Sequence, residues 1–218
     1  MSHGFVIAVD GPAASGKGAV AERLAEHYGL PVLDTGLLYR AVGAAVVASR
    51  GDLDDAEVAG ACARSLDLGQ LSDPTLRDRR AGELASRVAV HVPVRLALRA
   101  FQQAFAAQPG GAIIDGRDIG TVIAPDAPAK LYVTASPAVR ARRRWLQLRD
   151  RGEAVTYEEI LADIEARDAR DGGRADSPMR PADDAVLLDT TEMTIEAAAD
   201  AARRVVEAAR SRWERSRG

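Results

Sequence analysis

The stretch VDGPAASGKGAV, at residues 9–20, places one lysine and three glycines directly after a short apolar run. Gly11, Gly16 and Lys17 match the spacing G-x-x-x-x-G-K of a phosphate-binding loop, where backbone N–H groups and a lysine side chain surround phosphate oxygens. The chain contains only one other lysine, Lys130, so chance is a poor explanation for a lysine at this position. We predict that the loop holds nucleotide phosphates and that Lys17 stabilises charge as a phosphoryl group moves.

The two positions after this lysine depart from the common pattern. A serine or threonine normally follows the lysine, because its hydroxyl helps to hold magnesium, but here Gly18 and then Ala19 follow. A working site, a degenerate site and a glycine-rich turn without a ligand are the interpretations that remain open. The candidate phosphate contacts are Gly11, Pro12, Ala13, Ala14, Ser15, Gly16, Lys17, Gly18 and Ala19.

Carboxylates and arginines stand at the ends of other apolar runs. Asp115 ends the run AIID and is a candidate to orient magnesium through water, with an ordinary strand-end cap as the equal alternative. In GRDIG, Arg117 and Asp118 lie where open α/β sheets bind ligands, and an arginine fork suits phosphate. In LDTGLLYRA, Thr35 can cap a helix and Arg40 can reach a second phosphate, although a solvated arginine on a capped helix explains the segment equally.

Two further segments are rich in arginine, RARRR and RDARDGGR. The side chains that a helix would bring to one face are Arg140, Arg143 and Arg144 in the first segment and Arg167, Arg170, Asp171 and Arg174 in the second. We expect the first group to grip a polyphosphate. Exposed helices laced with ion pairs are the alternative interpretation of both segments.

Five short apolar runs, separated by segments of helical period, must position these residues. They are almost continuously apolar, which is typical of strands buried on both faces of a parallel sheet. The predicted strands are 5–9, 32–34, 112–115, 130–134 and 185–189. The sequence therefore predicts the α/β class, with a five-stranded parallel sheet that is covered by helices on both faces.

Capping residues and strand spacing add detail. The predicted helices are 138–150 after Ser136 and Pro137, a helix to about 170 after the capping box of Thr156 and Glu159, and a helix to about 212 capped by Thr194. Two connections are far longer than the roughly dozen residues that a crossover needs. They predict two appendages, a mostly helical one at about 41–109 and a short one at about 150–182.

Composition restricts the class of protein. The net charge of −3 gives little support for a general nucleic-acid-coating role. Cys62 is the sole cysteine, which fits a reducing compartment. We find no secretory pattern and no apolar run of about eighteen residues, so we expect a cytoplasmic protein without a membrane span. No sustained heptad or evident dimer face is present, and we expect a monomer.

In this order, the segments resemble those of the bacterial cytidylate kinases, a family of nucleoside monophosphate kinases. The resemblance covers nearly the whole chain through IAVDGPAASGKG, LDTGLLYRA, DGRDIGTVIAPDAPAKLYVTASP, RARRRWLQL, EARDARDGGR and AVLLDTT. It implies phosphorylation of CMP and dCMP by ATP with Mg²⁺, in pyrimidine nucleotide metabolism. It also implies a single domain over 1–218, with a core at about 1–40, 110–150 and 183–218, an acceptor-binding lobe at about 41–109 and a lid at about 150–182.

The resemblance also assigns roles to individual residues. Lys17, Arg117, Arg140 and Arg144 are implied to be catalytic, and residues 11–19 to bind the ATP phosphates. The implied CMP contacts are Thr35, Arg95, Asp118 and Arg174 around the cytosine ring, Ser86, Arg167 and Asp171 at the sugar, and Arg40 and Arg117 at the phosphate. Cytosine offers an amino donor and two acceptors to such groups, whereas the oxygen at position 4 of uracil would face a carboxylate.

The chain departs from the family pattern at two places. These kinases often read G-K-G-[ST], so Gly18 fits the family whereas Ala19 lacks the expected hydroxyl, and we expect an enzyme that is active with altered donor or metal affinity. Residues 66–86 are too few for the small antiparallel sheet that is common in the family. Another phosphate-loop kinase, acting on UMP, AMP or a metabolite, and a catalytically weak nucleotide-binding module are the alternative functions.

Overall fold

The chain forms a parallel sheet in the computed structural model, which describes residues 4–217. Its strands are β1 (Val6–Asp10), β2 (Val32–Asp34), β3 (Ala112–Gly116), β4 (Ala129–Thr134) and β5 (Val186–Asp189). They lie in the order β2-β3-β1-β4-β5, and every pairing is parallel. The predicted fold class is confirmed, although four of the five strands begin or end one residue away from the predicted position.

Helices cover both faces of this sheet. They are α1 (Lys17–Tyr28), α2 (Thr35–Ala48), α3 (Ala56–Arg64), α4 (Arg79–Val88), α5 (Val92–Ala106), α6 (Pro137–Asp150), α7 (Tyr157–Gly172) and α8 (Ile195–Arg215). On one face, α1 and α8 pack against β1 and β4, with Leu24 and Val206 against Ile7 and Leu131. On the other face, Ala106 of α5 belongs to the cluster that buries alternate residues of β1 and β3.

Three of the predicted helix caps are confirmed. The hydroxyls of Ser136 and Thr194 accept backbone N–H bonds at the starts of α6 and α8, and Thr156 and Glu159 form a reciprocal capping box at α7. The predicted cap of α2 is wrong. Asp34, rather than Thr35, caps this helix, because its carboxylate accepts from the Gly36 N–H at 2.9 Å.

The segment between β2 and β3 is helical. Helices α2 to α5 share a core that includes Leu38, Val46, Val88 and Leu98, and no strand is present here in the described part of the chain. Two short 3₁₀ helices, Leu68–Ser72 and Pro74–Arg77, stand in the region that is too short for a sheet insert. Between β4 and β5, α6 and α7 form a hairpin with its own small core. Among residues 4–217, every helix is too short or too polar to serve as a membrane span.

A buried carboxylate at the end of β1 fixes the loop after β3. Asp10 is 4% exposed, and its two oxygens accept from the backbone N–H groups of Ile119 and Gly120, at 2.7 Å each. These residues begin a π-helical turn, Ile119–Ile123. Because Arg117 and Asp118 immediately precede this turn, Asp10 determines where both side chains start.

Burial raises the pKa of Asp10 to about 7, although the two backbone hydrogen bonds lower it. Between about pH 4 and pH 7, the folded state therefore holds a proton that the unfolded state has lost. The contribution of Asp10 to stability is complete at the low end of this range and is lost as the pH rises, by at most about 1.4 kcal/mol per pH unit.

Replacement of Asp10 by asparagine removes this titration. We expect Asp10→Asn to be less stable than the parent at low pH, and the difference in unfolding free energy to shrink as the pH rises towards 7. Urea unfolding of both proteins at several pH values between about 4.5 and 7.5 measures the difference. A difference that stays constant or grows with pH would show that the carboxylate is ionised throughout the folded state.

Candidate active site

The phosphate loop joins β1 to α1 and takes a shape that glycine makes possible. Gly11 has a φ of 149°, and a Cβ at this position would lie 2.0 Å from the carbonyl oxygen of Val133. Gly16 precedes α1 in a left-handed conformation and no side chain caps this helix. The N–H groups of the first turn of α1 therefore remain available to an anion, with the positive end of the helix behind them.

The outer side of the loop is held through its carbonyl groups. The Thr190 hydroxyl, after β5, is directed as a donor at the carbonyl oxygens of Ser15 at 2.9 Å and of Thr134 at 3.0 Å. Arg143 of α6 donates to the Thr190 hydroxyl at 3.0 Å and to its carbonyl at 2.7 Å. These contacts hold the loop in place through the carbonyl of Ser15.

Arg140 supports the same loop one helical turn earlier. It donates to the carbonyl oxygens of Ala135 at 2.8 Å and of Ala13 at 3.3 Å, and it forms a two-pronged ion pair with Asp168 of α7 at 3.1 and 2.6 Å. Its side chain is 3% exposed. Arg140 thus links the phosphate loop to α7.

The inner side of the loop presents a lysine and a carboxylate. The Nζ of Lys17 lies 3.6 Å from Oδ1 of Asp115, and this oxygen is buried without a hydrogen-bond partner. Burial raises the pKa of Asp115 to about 6, against the lowering effect of Lys17, and burial also lowers the pKa of Lys17. A Cβ at Gly18 would lie 3.3 Å from Oδ2 of Asp115, so glycine leaves this carboxylate its space.

A cleft of about 360 Å³ opens in front of the loop, between α2, α4, α6 and α7. Its lining includes seven arginines, Arg40, Arg77, Arg79, Arg144, Arg151, Arg167 and Arg170, and three carboxylates, Asp34, Glu83 and Asp163. Burial, then the charge of Arg117, lowers the pKa of Arg167 to about 9, and its Nε has no hydrogen-bond partner. This excess of confined positive charge is suited to a polyanion.

Beside the cleft, carboxylates from two elements pair with the remaining predicted arginines. Asp171 of α7 lies 3.2 Å from Arg117, 3.3 Å from Arg174 and 3.8 Å from Arg167. Asp118 forms a close ion pair with Arg95 of α5. The structure thus brings these predicted residues together, around carboxylates that offer acceptors and guanidinium groups that offer donors.

Two predicted residues with hydroxyl groups already have partners. Thr35 donates to the carbonyl oxygen of Asp115 at 2.8 Å, and the Ser86 hydroxyl accepts from Nε of Arg170 at 3.0 Å. Both side chains are buried at the edge of the site. Thr35 ties α2 to β3, and Ser86 ties α4 to α7.

The predicted common face of Arg140, Arg143 and Arg144 is divided in the structure. Arg144 alone of the three lines the cleft, whereas Arg140 and Arg143 support the phosphate loop from outside. Both of their main partners, Asp168 and Thr190, are distant in sequence, so helical spacing gives no indication of the division.

Three arginines of the cleft were not predicted from the sequence, namely Arg77, Arg79 and Arg151. Arg79 pairs with Asp163 of α7 at 2.7 Å, and Arg151 donates to the Arg77 carbonyl at 3.0 Å. The segment DPTLRDRR carries no recognisable pattern, and only the packing of α4 towards α7 brings it to the cleft. Within residues 4–217, no group of three or more His, Cys, Asp or Glu side chains is arranged to hold a metal ion directly.

The chain is similar to known proteins over nearly its whole length. The family model described as cytidylate kinase matches residues 7–209. A cytidylate kinase of Caulobacter vibrioides (strain NA1000 / CB15N) is 68% identical over 209 residues, which cover 96% of this chain and 98% of the relative. The cytidylate kinase of Caulobacter sp. (strain K31) is 64% identical over 98% of this chain and 99% of its own, and that of Xanthobacter autotrophicus is 59% identical over 95% and 99%.

A solved structure supports the fold alone. The crystal structure of an uncharacterized protein from Eubacterium ventriosum superposes with a TM-score of 0.55 at 16% identity, covering 93% of this chain and 98% of that one.

The support of the loop by Thr190 is open to a direct test. Thr190→Val keeps the shape of the side chain but removes the donor to the carbonyls of Ser15 and Thr134 and the acceptor for one N–H of Arg143. The Thr134 carbonyl keeps its bond from the Thr190 backbone N–H. We expect a loss of about 1–3 kcal/mol in unfolding free energy, measured with urea. Thr75→Val is the matched control, because this exposed threonine bonds only to the neighbouring Asp73, and we expect it to cost under about 0.5 kcal/mol. Equal losses in the two variants would contradict the role of Thr190.

Proposed function

The chain belongs to the cytidylate kinase family and phosphorylates CMP with ATP, and we propose that the transfer takes place in the arginine-lined cleft. The observation that carries this proposal is the position of seven arginines in one cavity directly in front of a phosphate loop. ATP is a polyanion and CMP is a negatively charged phosphate monoester, so two groups of like charge must be brought together before transfer. A cavity of concentrated positive charge offsets that repulsion.

On the donor side, we propose that residues 11–19 hold the ATP phosphates through the backbone N–H groups that all of them except Pro12 carry. The uncapped start of α1 and the outward carbonyls of the loop support this assignment. Lys17, the first residue of this helix, places its ammonium group 3.6 Å from Oδ1 of Asp115. Ala19 contributes its backbone N–H in place of a hydroxyl, with the buried Ser15 hydroxyl near by in the same loop.

On the acceptor side, we propose that CMP lies between α2, α5, α7 and the loop after β3. The proposed contacts are Thr35, Arg95, Asp118 and Arg174 to the cytosine ring, Ser86, Arg167 and Asp171 to the sugar, and Arg40 and Arg117 to the phosphate. Asp118 and Asp171 are paired with arginines in the structure, so a bound nucleotide would exchange some of these internal bonds for its own. Because base and phosphate contacts outnumber those to the sugar, we propose that dCMP is also accepted.

The transfer itself needs no covalent intermediate with the protein. A phosphate oxygen of CMP attacks the γ-phosphorus of ATP in line, and the bond to the ADP oxygen breaks as the new bond forms. We propose that Lys17, Arg117 and Arg144 stabilise the charge on the oxygens of the transferred group. Arg140, held between Ala13 and Asp168, adds positive charge behind the loop.

We propose Mg²⁺ as the metal that accompanies ATP. The Asp115 carboxylate fits this ion, because its Oδ1 is buried, has no hydrogen-bond partner and lies beside Lys17. Asp115 would hold the ion through water, since no cluster of three ligands exists among the described residues. When bound, the ion supplies positive charge to the ATP phosphates.

We propose that the helical segment at about 41–109 acts as the acceptor-binding lobe and the segment at about 150–182, which contains α7, as a lid, both moving on a core at about 1–40, 110–150 and 183–218. Closure would exclude water from the cleft and so suppress ATP hydrolysis. We also propose that the protein works as a monomer in the cytoplasm, without nucleic acid. The net charge of −3 supports the absence of nucleic acid, and the sole cysteine, Cys62, supports a reducing compartment.

The assignment is tested by removal of Lys17 from the phosphate loop. We expect Lys17→Ala to reduce turnover of CMP and dCMP by at least about a thousandfold, because it removes charge stabilisation in the transition state. A coupled assay of ADP release with CMP, dCMP, UMP and AMP measures this and the acceptor preference. Lys130→Arg is the control, since Lys130 lies outside the cleft, bound to Asp184 at 2.8 Å. Retained turnover in Lys17→Ala with a normal fold would overturn the assignment.

The missing hydroxyl at position 19 gives a second test. We expect Ala19→Thr to lower the KM for ATP by less than about tenfold, the effect of one added hydrogen bond, and to leave kcat within about twofold. Glu22→Thr, at an exposed position of the same helix, is the control for the lower helix propensity of threonine. A gain of several orders of magnitude in kcat/KM would contradict this expectation and would mean that the natural site lacks most of the activity that the loop could support.

A further inference from the structure

An acidic residue that no sequence pattern singled out reaches from the end of α7 to α5. The Oδ2 of Asp176 lies 3.1 Å from Nε of Arg95 and 3.3 Å from Nη2 of Arg99. The Ser177 hydroxyl donates to the same carboxylate oxygen at 2.8 Å. Asp176 therefore joins the proposed lid to the helix that carries the proposed base-reading arginine.

The guanidinium of Arg95 is held on two edges by two carboxylates. Its Nη2 donates to Asp118 from the loop after β3, and its Nε donates to Asp176. Its Nη1 makes a longer contact of 3.4 Å to the Ala89 carbonyl. The guanidinium also lies over the ring of Tyr39, 5.7 Å from its centroid. Arg95 is 3% exposed, so its position depends on these protein partners rather than on water.

The backbone after α7 takes a shape that aims Asp176 at α5. Ser177 has a φ of 52°, in the left-handed region that side chains other than glycine rarely adopt, and it is buried. Such a conformation persists only where the surrounding contacts favour it. Burial raises the pKa of Asp176, but the hydrogen bonds from Ser177 and Arg95 bring it below its usual value, so the carboxylate is charged at neutral pH.

The charges on this group of side chains explain why the second carboxylate matters. Arg95 and Arg99 carry two positive charges, which Asp118 and Asp176 balance. An amino group of a pyrimidine that bonds to Asp118 competes with Arg95 for its oxygens. Asp176 then keeps a counter-charge on the other edge of Arg95, so that its remaining N–H groups stay directed at the ring acceptors.

We propose that Asp176 is a positioning residue for base recognition, which orients Arg95 from the lid and so couples lid closure to the discrimination of cytosine from uracil. This inference rests on the proposed function, in which Arg95 and Asp118 read the ring. The role of Asp176 goes beyond holding the lid against the acceptor-binding lobe. A second ion pair, between Arg79 and Asp163, also joins the lobe to the lid, and it does not touch Arg95.

The matched pair Asp176→Ala and Asp163→Ala tests the proposal, with steady-state kinetics on CMP and UMP. For Asp176→Ala, we expect the KM for CMP to rise about tenfold, kcat to stay within about twofold, and the preference for CMP over UMP in kcat/KM to fall about tenfold. Asp176→Asn keeps an acceptor for Nε of Arg95, so its preference for CMP over UMP should lie between those of the parent and of the alanine variant. Asp163→Ala should leave the preference within about twofold of the parent, since it breaks a lid contact and alters the charge of the cleft for both substrates alike, without touching Arg95.

An unchanged preference in Asp176→Ala, or equal losses of preference in Asp176→Ala and Asp163→Ala, would overturn the role of Asp176. Arg95→Ala separates this failure from that of the proposed function. A loss of preference in Arg95→Ala but not in Asp176→Ala leaves the base site standing and refutes only the positioning role. No loss in Arg95→Ala refutes the base site itself. Circular dichroism and thermal melting of each variant exclude misfolding as the cause.

Discussion

The confinement of many guanidinium groups beside one phosphate loop is the constraint on which the rest of this structure depends. A buried charge is costly unless it is paired and hydrogen-bonded. The chain meets this need with aspartates from different elements, among them Asp118 after β3 and Asp168 and Asp171 on α7. Two buried guanidinium nitrogens lack a hydrogen-bond partner, Nε of Arg167, which lines the cleft, and Nη2 of Arg174 beside it. Internal carboxylates thus set the geometry of the arginines that they pair with.

The sheet could be predicted almost completely, because its strands are buried on both faces and read as continuous apolar runs. Local chemistry also fixed three helix starts, where Ser136, Thr156 and Thr194 supply hydroxyl caps. The prediction failed at α2, where Asp34 and Thr35 are both suitable caps. The choice between them depends on Asp115, whose carbonyl draws the Thr35 hydroxyl into the sheet.

Only those site residues that lie at strand ends or in the phosphate loop could be placed from the sequence. For the arginines on helices, spacing says which side chains share a face but not what that face meets. Arg140 and Arg144 lie one helical turn apart, yet the first turns to Asp168 and the second lines the cleft. Arg79 belongs to the cleft because α4 packs towards α7, a contact that no local pattern records.

The loop without a hydroxyl at position 19 becomes understandable from the same contacts. Its shape is imposed from outside, by Thr190 on the Ser15 carbonyl and by Arg140 on the Ala13 carbonyl. These bonds are formed by the protein with itself, so the shape of the loop does not depend on a hydroxyl at residue 19. The space that Gly18 leaves beside the Asp115 carboxylate is likewise set by the chain itself, since a Cβ at this position would lie 3.3 Å from Oδ2.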